Sequence, residues 1–161
     1  MTDKTQPQSA GDGNPQFKIT GLKTFIGNEG HGFNATLHIN GKKAAFVIDD
    51  ASGGDYDFHW FDPELRKLFA DYVQSLPPYP SCLEGEPPIP HNFDTALGDI
   101  VSKHEIKTRL ARLCRTKTLF RIKGETYRDG EWRTLKAPLN ELTVSYLVKK
   151  YGTQLDTIYQ P

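Results

Sequence analysis

The amino-acid sequence predicts an α+β fold: an N-terminal antiparallel β-meander with packed helices, a second β-hairpin and a C-terminal helix. Three observations carry that expectation. Apolar residues recur with period 2 up to residue 60 and at helical spacing from residue 63 onward. Asn-Gly and Gly-Gly pairs separate the early segments, whereas prolines start and stop the helical ones. Strands and helices also fall into separate runs, which argues against a parallel βαβ sheet.

Each element has its own local justification. Residues 17–26, FKITGLKTFI, alternate loosely, as a half-buried strand does. GNEGHG at 27–32 is a glycine-rich connection. Residues 33–39 put Phe33, Ala35, Leu37 and Ile39 on one face and Asn34, Thr36 and His38 on the other. Asn40-Gly41 is a hairpin turn, because both positions must adopt positive φ. A strand returns over 43–49, ASGG turns at 51–54, and YDFHW at 56–60 alternates again. Asp62-Pro63-Glu64 then starts a helix with an N-cap, a proline at the first position and an acid in the first turn. Its stripe is Leu65, Leu68, Phe69, Tyr72, Val73 and Leu76, and Pro77-Pro78 ends it.

Residues 77–93 read as an extended internal connector, with six of the 11 prolines inside 77–90. Asp94 is placed to cap a second, longer helix carrying Leu97, Ile100, Val101, Leu110, Leu113 and Cys114. Its apolar phase slips near His104, which predicts a kink or two shorter helices. TLFRI at 118–122 and EWRTLK at 131–136 form the second hairpin around a turn at 127–130. Asn140 or its neighbours open the last helix, with Leu142, Tyr146, Leu147 and Tyr151 inward and Gly152 at its end. Leu155, Ile158 and Tyr159 are expected to add one more helical turn.

Composition bounds the function classes. A chain of 161 residues with 37% apolar side chains fits one ordinary domain, expected over 16–161 behind a disordered Gln/Pro/Gly/Ser/Asp-rich leader at 1–15. Twenty Lys and Arg balance 20 Asp and Glu, so the chain is neither a bulk polycation nor an acidic tail. No run of 18 apolar residues predicts a membrane span. The N-terminus has no apolar run of the secretory kind. Cys82 and Cys114 are too few for a disulfide framework or a thiolate zinc cage, and a cytoplasmic protein without cofactor is the expectation.

Neutrality conceals an asymmetry. Residues 1–100 hold seven Lys and Arg against 14 Asp and Glu, a net of −7, while residues 101–161 hold 13 against six, a net of +7. The basic residues gather between 103 and 136, with Arg109, Arg112 and Arg115 spaced to share a helix face. Lys117, Arg121, Arg128 and Arg133 follow, interleaved with Phe120, Tyr127 and Trp132. Guanidinium groups beside aromatic faces suit phosphates and bases. They suit an acidic protein surface equally. A solvated basic face, neutralised by the acidic half, is the plain competing reading, and the segment holds no recognised nucleic-acid motif.

The chemical candidates are few. Asp49, Asp50, Asp55 and Asp57, with His59 close by, could supply oxygen ligands to magnesium or calcium in a hydrolase or nuclease. Their spacing is not that of a calcium loop, and strand alternation sends neighbours to opposite faces, so a solvated acidic turn is the competing reading. GNEGHG lacks the Lys-Ser/Thr of a phosphate loop and precedes a strand, which leaves a hairpin connection. The five histidines show no dense ligand spacing, although His31, His38 and His59 all fall in the meander. Neither cysteine nor any serine lies in a nucleophile motif.

Two segments, KTFIGNEGHGFNATLHINGKKAAFVIDDASGG and CRTKTLFRIKGETYRDGEWRTLKAPLN with the later YLVKKYG, resemble small uncharacterised proteins encoded by bacteriophages, prophages and mobile elements. The resemblance covers under half of the chain and implies a context, a bacterial host cytoplasm, rather than any catalytic residue. Accessory proteins of that kind often bind host machinery or nucleic acid. The leading expectation is therefore a non-enzymatic binding protein acting through 103–136. The charge contacts would be Arg109, Arg112, Arg115, Lys117, Arg121, Arg128 and Arg133, with Trp132 as the stacking group. The metal-dependent reading at 49–57 is the alternative. Self-association through an exposed meander edge is a third.

Overall fold

The computed structural model describes residues 14–161. The leader expected at 1–15 lies almost wholly outside them. The chain divides into two units, Met1–Ile100 and Val101–Pro161. Among the described residues, no helix is long and apolar enough to cross a membrane.

The first unit is built on four antiparallel strands, β1 (Phe17–Gly27), β2 (Gly30–Ile39), β3 (Lys42–Asp49) and β4 (Asp57–Trp60), in the order β1-β2-β3-β4. Each strand follows its neighbour because the turns between them are short. Asn40 and Gly41 have φ of 50° and 81°, as a two-residue hairpin requires. The Asn40 side chain accepts the Gln16 N–H at 2.8 Å and helps hold the hairpin. The hairpin expected at 27–32 is tighter than that: Gly27 ends β1 and pairs with Gly30, the first residue of β2, so only Asn28 and Glu29 connect the strands. Its glycines also answer to packing: a Cβ on Gly27 would lie 2.6 Å from that of Ala51, and one on Gly32 would lie 2.4 Å from the Asp49 carbonyl. The 49–51 backbone approaches too closely for any side chain there.

Alternation sends Ile19, Phe33, Ala35, Leu37, Ile39, Ala45 and Val47 to one buried face. Helix α1 (Pro63–Ser75) packs there through Leu65, Phe69 and Val73. It begins as the sequence predicts, with Asp62 accepting the Glu64 N–H at 2.9 Å and proline in the first turn. Leu68, Tyr72 and Leu76 are half-buried flanks. The outer strand β1 shifts register between Thr20 and Lys23, with Gly21 at φ 62°. Together with exposed Lys18 and Lys23, this bulge blunts the edge against pairing with another copy.

Helix α2 (Phe93–Leu113) departs from expectation twice. Its cap is Asn92, not Asp94: Asn92 accepts the Thr95 N–H at 2.8 Å and Thr95 Oγ1 accepts the Asn92 N–H at 3.0 Å, a reciprocal box. The helix also continues through His104. The division between the two units falls at Ile100, within this helix.

The second unit centres on β5 (Thr118–Ile122), flanked antiparallel by β6 (Arg133–Leu135) and β7 (Leu155–Ile158). Strand β7 replaces the helical turn expected near Leu155. Gly152 ends α3 (Glu141–Tyr151) at φ 53°, a 3-10 turn follows over Gly152–Gln154, and the chain fills the open edge of β5. Asn140 caps α3 through a reciprocal box with Thr143. The inward face differs from the one predicted: Thr143 and Leu147 are buried, whereas Leu142 is 81% exposed and Tyr146 48%. Thr143 turns inward because its hydroxyl is held by the cap and by the Pro138 carbonyl at 3.2 Å. Phe120 of β5 meets Tyr151 of α3 at 5.4 Å between ring centres.

Candidate functional site

The basic segment falls entirely within the second unit, and the structure sorts its residues into two sets. The first set is engaged inside the fold. Arg109, on α2, donates to the Gly130 carbonyl at 3.0 Å. Gly130 sits at φ 70°, and a Cβ there would strike Arg109 and Ile106. Arg121, on β5, donates to the Glu131 carbonyl through Nε and Nη2 at 3.3 and 3.1 Å. Its guanidinium lies 4.3 Å from the Trp132 ring centre and 5.2 Å from that of Tyr127. Trp132 in turn meets Tyr159 edge-on at 5.2 Å.

Arg133, at the start of β6, forms a two-pronged ion pair with Glu125, its Nε donating to Oε2 at 2.9 Å. The Tyr127 hydroxyl donates to the same Oε2 at 2.5 Å and accepts the Ile122 N–H at 3.0 Å. The Arg133 hydrogen bonds, reinforced by Tyr127, hold the Glu125 carboxyl below its ordinary range, and Glu125 raises Arg133 reciprocally. The pair is exposed, so its role is to position the loop more than to stabilise the unit. Glu125, Thr126, Tyr127, Glu131, Trp132 and Arg133 together line an open groove of about 390 Å³.

The second set is free. Among the described residues, the side chains of Arg112, Arg115, Lys117 and Arg128 make no hydrogen bond or ion pair. Arg128 is held only by its backbone, whose N–H donates to Glu131 Oε2 at 3.0 Å. The expected triad on one helix face is corrected here. Arg109 is engaged with Gly130, and Arg115 lies past the end of α2, in a turn whose N–H reaches the Arg112 carbonyl at 3.3 Å. The sequence reading also missed Glu125, Tyr127 and Tyr159 as organising residues. Glu125 lies in the loop after β5, and strand register sets Arg133 opposite Phe120, so nothing in the strand pattern pairs the two charges. Tyr159 gave no signal either, because β7 was not anticipated.

The five residues expected at the alternative site do not converge as one set. Asp49 accepts the Ala51 N–H at 2.9 Å, and Asp50 accepts the Ser52 N–H at 3.0 Å and its hydroxyl at 2.6 Å. The Ser52 bonds hold Asp50 below the ordinary carboxylate range. Asp57 pairs with His59 at 3.0 Å. The register sets Asp49 opposite Phe33, on the buried face, and Asp57 opposite Ile48, on the other. Asp55 instead neighbours Asp94, whose carboxyl is pushed up by burial and by Asp55 and Asp49, against the Tyr56 N–H. The meander histidines are separate too, with His38 hydrogen-bonded to Thr20 at 2.9 Å. Among the described residues, no group of three or more His, Cys, Asp or Glu side chains could hold a metal ion. The alternative site at Asp49, Asp50, Asp55, Asp57 and His59 therefore lacks the convergence it needs. Millimolar magnesium, manganese or calcium should leave the melting temperature within about 1 °C, whereas a rise that grows with metal concentration would restore that site.

Comparison with protein-family models, with curated proteins and with solved structures finds no match to this chain.

Proposed function

We infer that this is a non-enzymatic binding protein whose second unit holds an anionic polymer, nucleic acid, on its free cations. One observation carries the reading: Arg112, Arg115, Lys117 and Arg128 have no partner among the described residues, while their neighbours Arg109, Arg121 and Arg133 are fastened internally. Cationic groups left free are suited to phosphate oxygens, and Trp132 at the groove offers part of a ring to a base. The resemblance to phage and prophage proteins sets the proposed context, an accessory protein engaging host nucleic acid in a bacterial cytoplasm. Two free thiols, one exposed, suit such a reducing compartment.

Fluorescence anisotropy with short single-stranded DNA, duplex DNA and RNA at several salt concentrations tests this. Four phosphate contacts on a single strand predict a slope of about −3 in log affinity against log salt. Reversing Arg112 and Arg115 to Glu should weaken binding at least about tenfold at low salt. It should move the melting temperature by no more than about 2 °C, because neither side chain has a partner to lose. No binding at low salt would remove nucleic acid and leave an acidic protein surface as the partner. A large fall in melting temperature would make the two arginines structural.

A further inference from the structure

The proline-rich connector of the first unit carries a repeated pattern whose two copies are bonded to each other. Residues 76–80 read Leu-Pro-Pro-Tyr-Pro and residues 86–90 read Glu-Pro-Pro-Ile-Pro, one pattern repeated ten positions apart. Every residue in both stretches is a proline or precedes one. The proline ring holds φ near about −65°, and a following proline pushes its neighbour into the extended region. Leu76 shows the result, with φ −71° and ψ 138°. All described peptide bonds here are trans. The stretches are thus confined by local sterics to polyproline II and adjacent extended conformations.

Tertiary contacts then fasten them side by side. The only backbone N–H groups inside the two Pro-Pro-X-Pro tetrads belong to Tyr79 and Ile89, and each donates to the other's carbonyl at 2.8 Å. The Tyr79 hydroxyl donates to Asp99 Oδ2 at 2.8 Å, and its ring lies 4.0 Å from that of His91. All six prolines remain exposed, as does Ile89 at 54%. Among the described residues, none of the six proline carbonyls receives a hydrogen bond, so all stay available as acceptors. A connector that only linked α1 to α2 would need neither the repeat nor the clamp.

We propose that this clamped pair, Pro77–Pro80 and Pro87–Pro90, is a docking site for a protein domain with an aromatic-lined groove that reads polyproline II ligands. With three residues per turn, Pro77 and Pro80 fall on one edge of the first stretch, and Pro87 and Pro90 on one edge of the second. The clamp presents both already ordered, which lowers the entropy lost on docking. Glu84 and Glu86 are exposed between the stretches, and no lysine or arginine lies between Lys67 and Lys103. The partner's rim is accordingly basic.

The test titrates the full chain into isotope-labelled SH3, WW and EVH1 domains and follows the chemical shifts of their groove residues. At least one domain with a basic rim should saturate, and the affinity should fall as salt rises. The double variant Pro80→Ala, Pro90→Ala should bind at least about tenfold more weakly with circular dichroism and melting temperature retained. If that variant does not fold, displacement of the wild-type chain by a free decaproline peptide serves instead, and displacement is expected. Failure of every domain to saturate by about 1 mM, equal binding by a folded variant, or no displacement would each overturn the proposal.

Discussion

Phe69→Ala should lower the unfolding free energy by about 3–5 kcal/mol, the largest loss expected from any single truncation in the first unit. Phe69 is wholly buried on α1 and is the hub of the aromatic core. Its ring centre lies 5.7 Å from Phe17, 6.4 Å from Phe58, 5.8 Å from Trp60, 6.1 Å from Tyr72 and 5.2 Å from Phe93. The pairs with Phe17 and Phe93 are edge-on, which adds to what burial alone contributes. Alanine would leave a cavity bounded by rigid rings from two strands and two helices, which cannot collapse into it together. Urea denaturation followed by tryptophan fluorescence reads the effect, since Trp60 lies against the site. A loss below about 1 kcal/mol would mean that the rings repack and that this core is plastic.

In the second unit, Leu147→Ala should lose about 2–5 kcal/mol while Leu142→Ala stays within about 0.5 kcal/mol. The two leucines lie on the same helix, α3, and periodicity alone assigns both to the core. Leu147 is 1% exposed, and Leu142 is 81% exposed. The pair of measurements therefore separates the observed helix rotation from the predicted one with the chemistry of the substitution held constant. Equal losses at both positions would contradict the orientation set by the Asn140–Thr143 cap.

The meander strands, their turns and the starts of α1 and α3 are legible because each rests on residues a few positions apart. Phe33 to Ile39 alternate on the page as they do in the sheet, Asn40-Gly41 has the two positive φ values its residues favour, and Asp62-Pro63 opens α1. Strand β7 depended on a distant partner. It has four residues without clean alternation, and it is a strand because β5 offers an unpaired edge. Leu142 was assigned inward because an apolar residue at helical spacing is usually core, but the cap turns Thr143 inward and carries Leu142 to solvent. The acidic run is dense in sequence but divided in space: Asp49 and Asp57 fall on opposite faces of the sheet, and Asp50 turns back onto Ser52.

The candidate surface divides the same way. From sequence alone came the location of the positive charge, its excess in residues 101–161 and its mixing with aromatic residues, since composition needs no geometry. Which arginines are free was decided only by the tertiary structure. Arg133 finds Glu125 in the connecting loop, Arg121 stacks on Trp132, and Arg109 reaches the carbonyl of Gly130. A charge is a property of one residue and can be counted. Its availability depends on what the folded chain brings within about 3 Å of it, and that distance is set by residues far away in sequence.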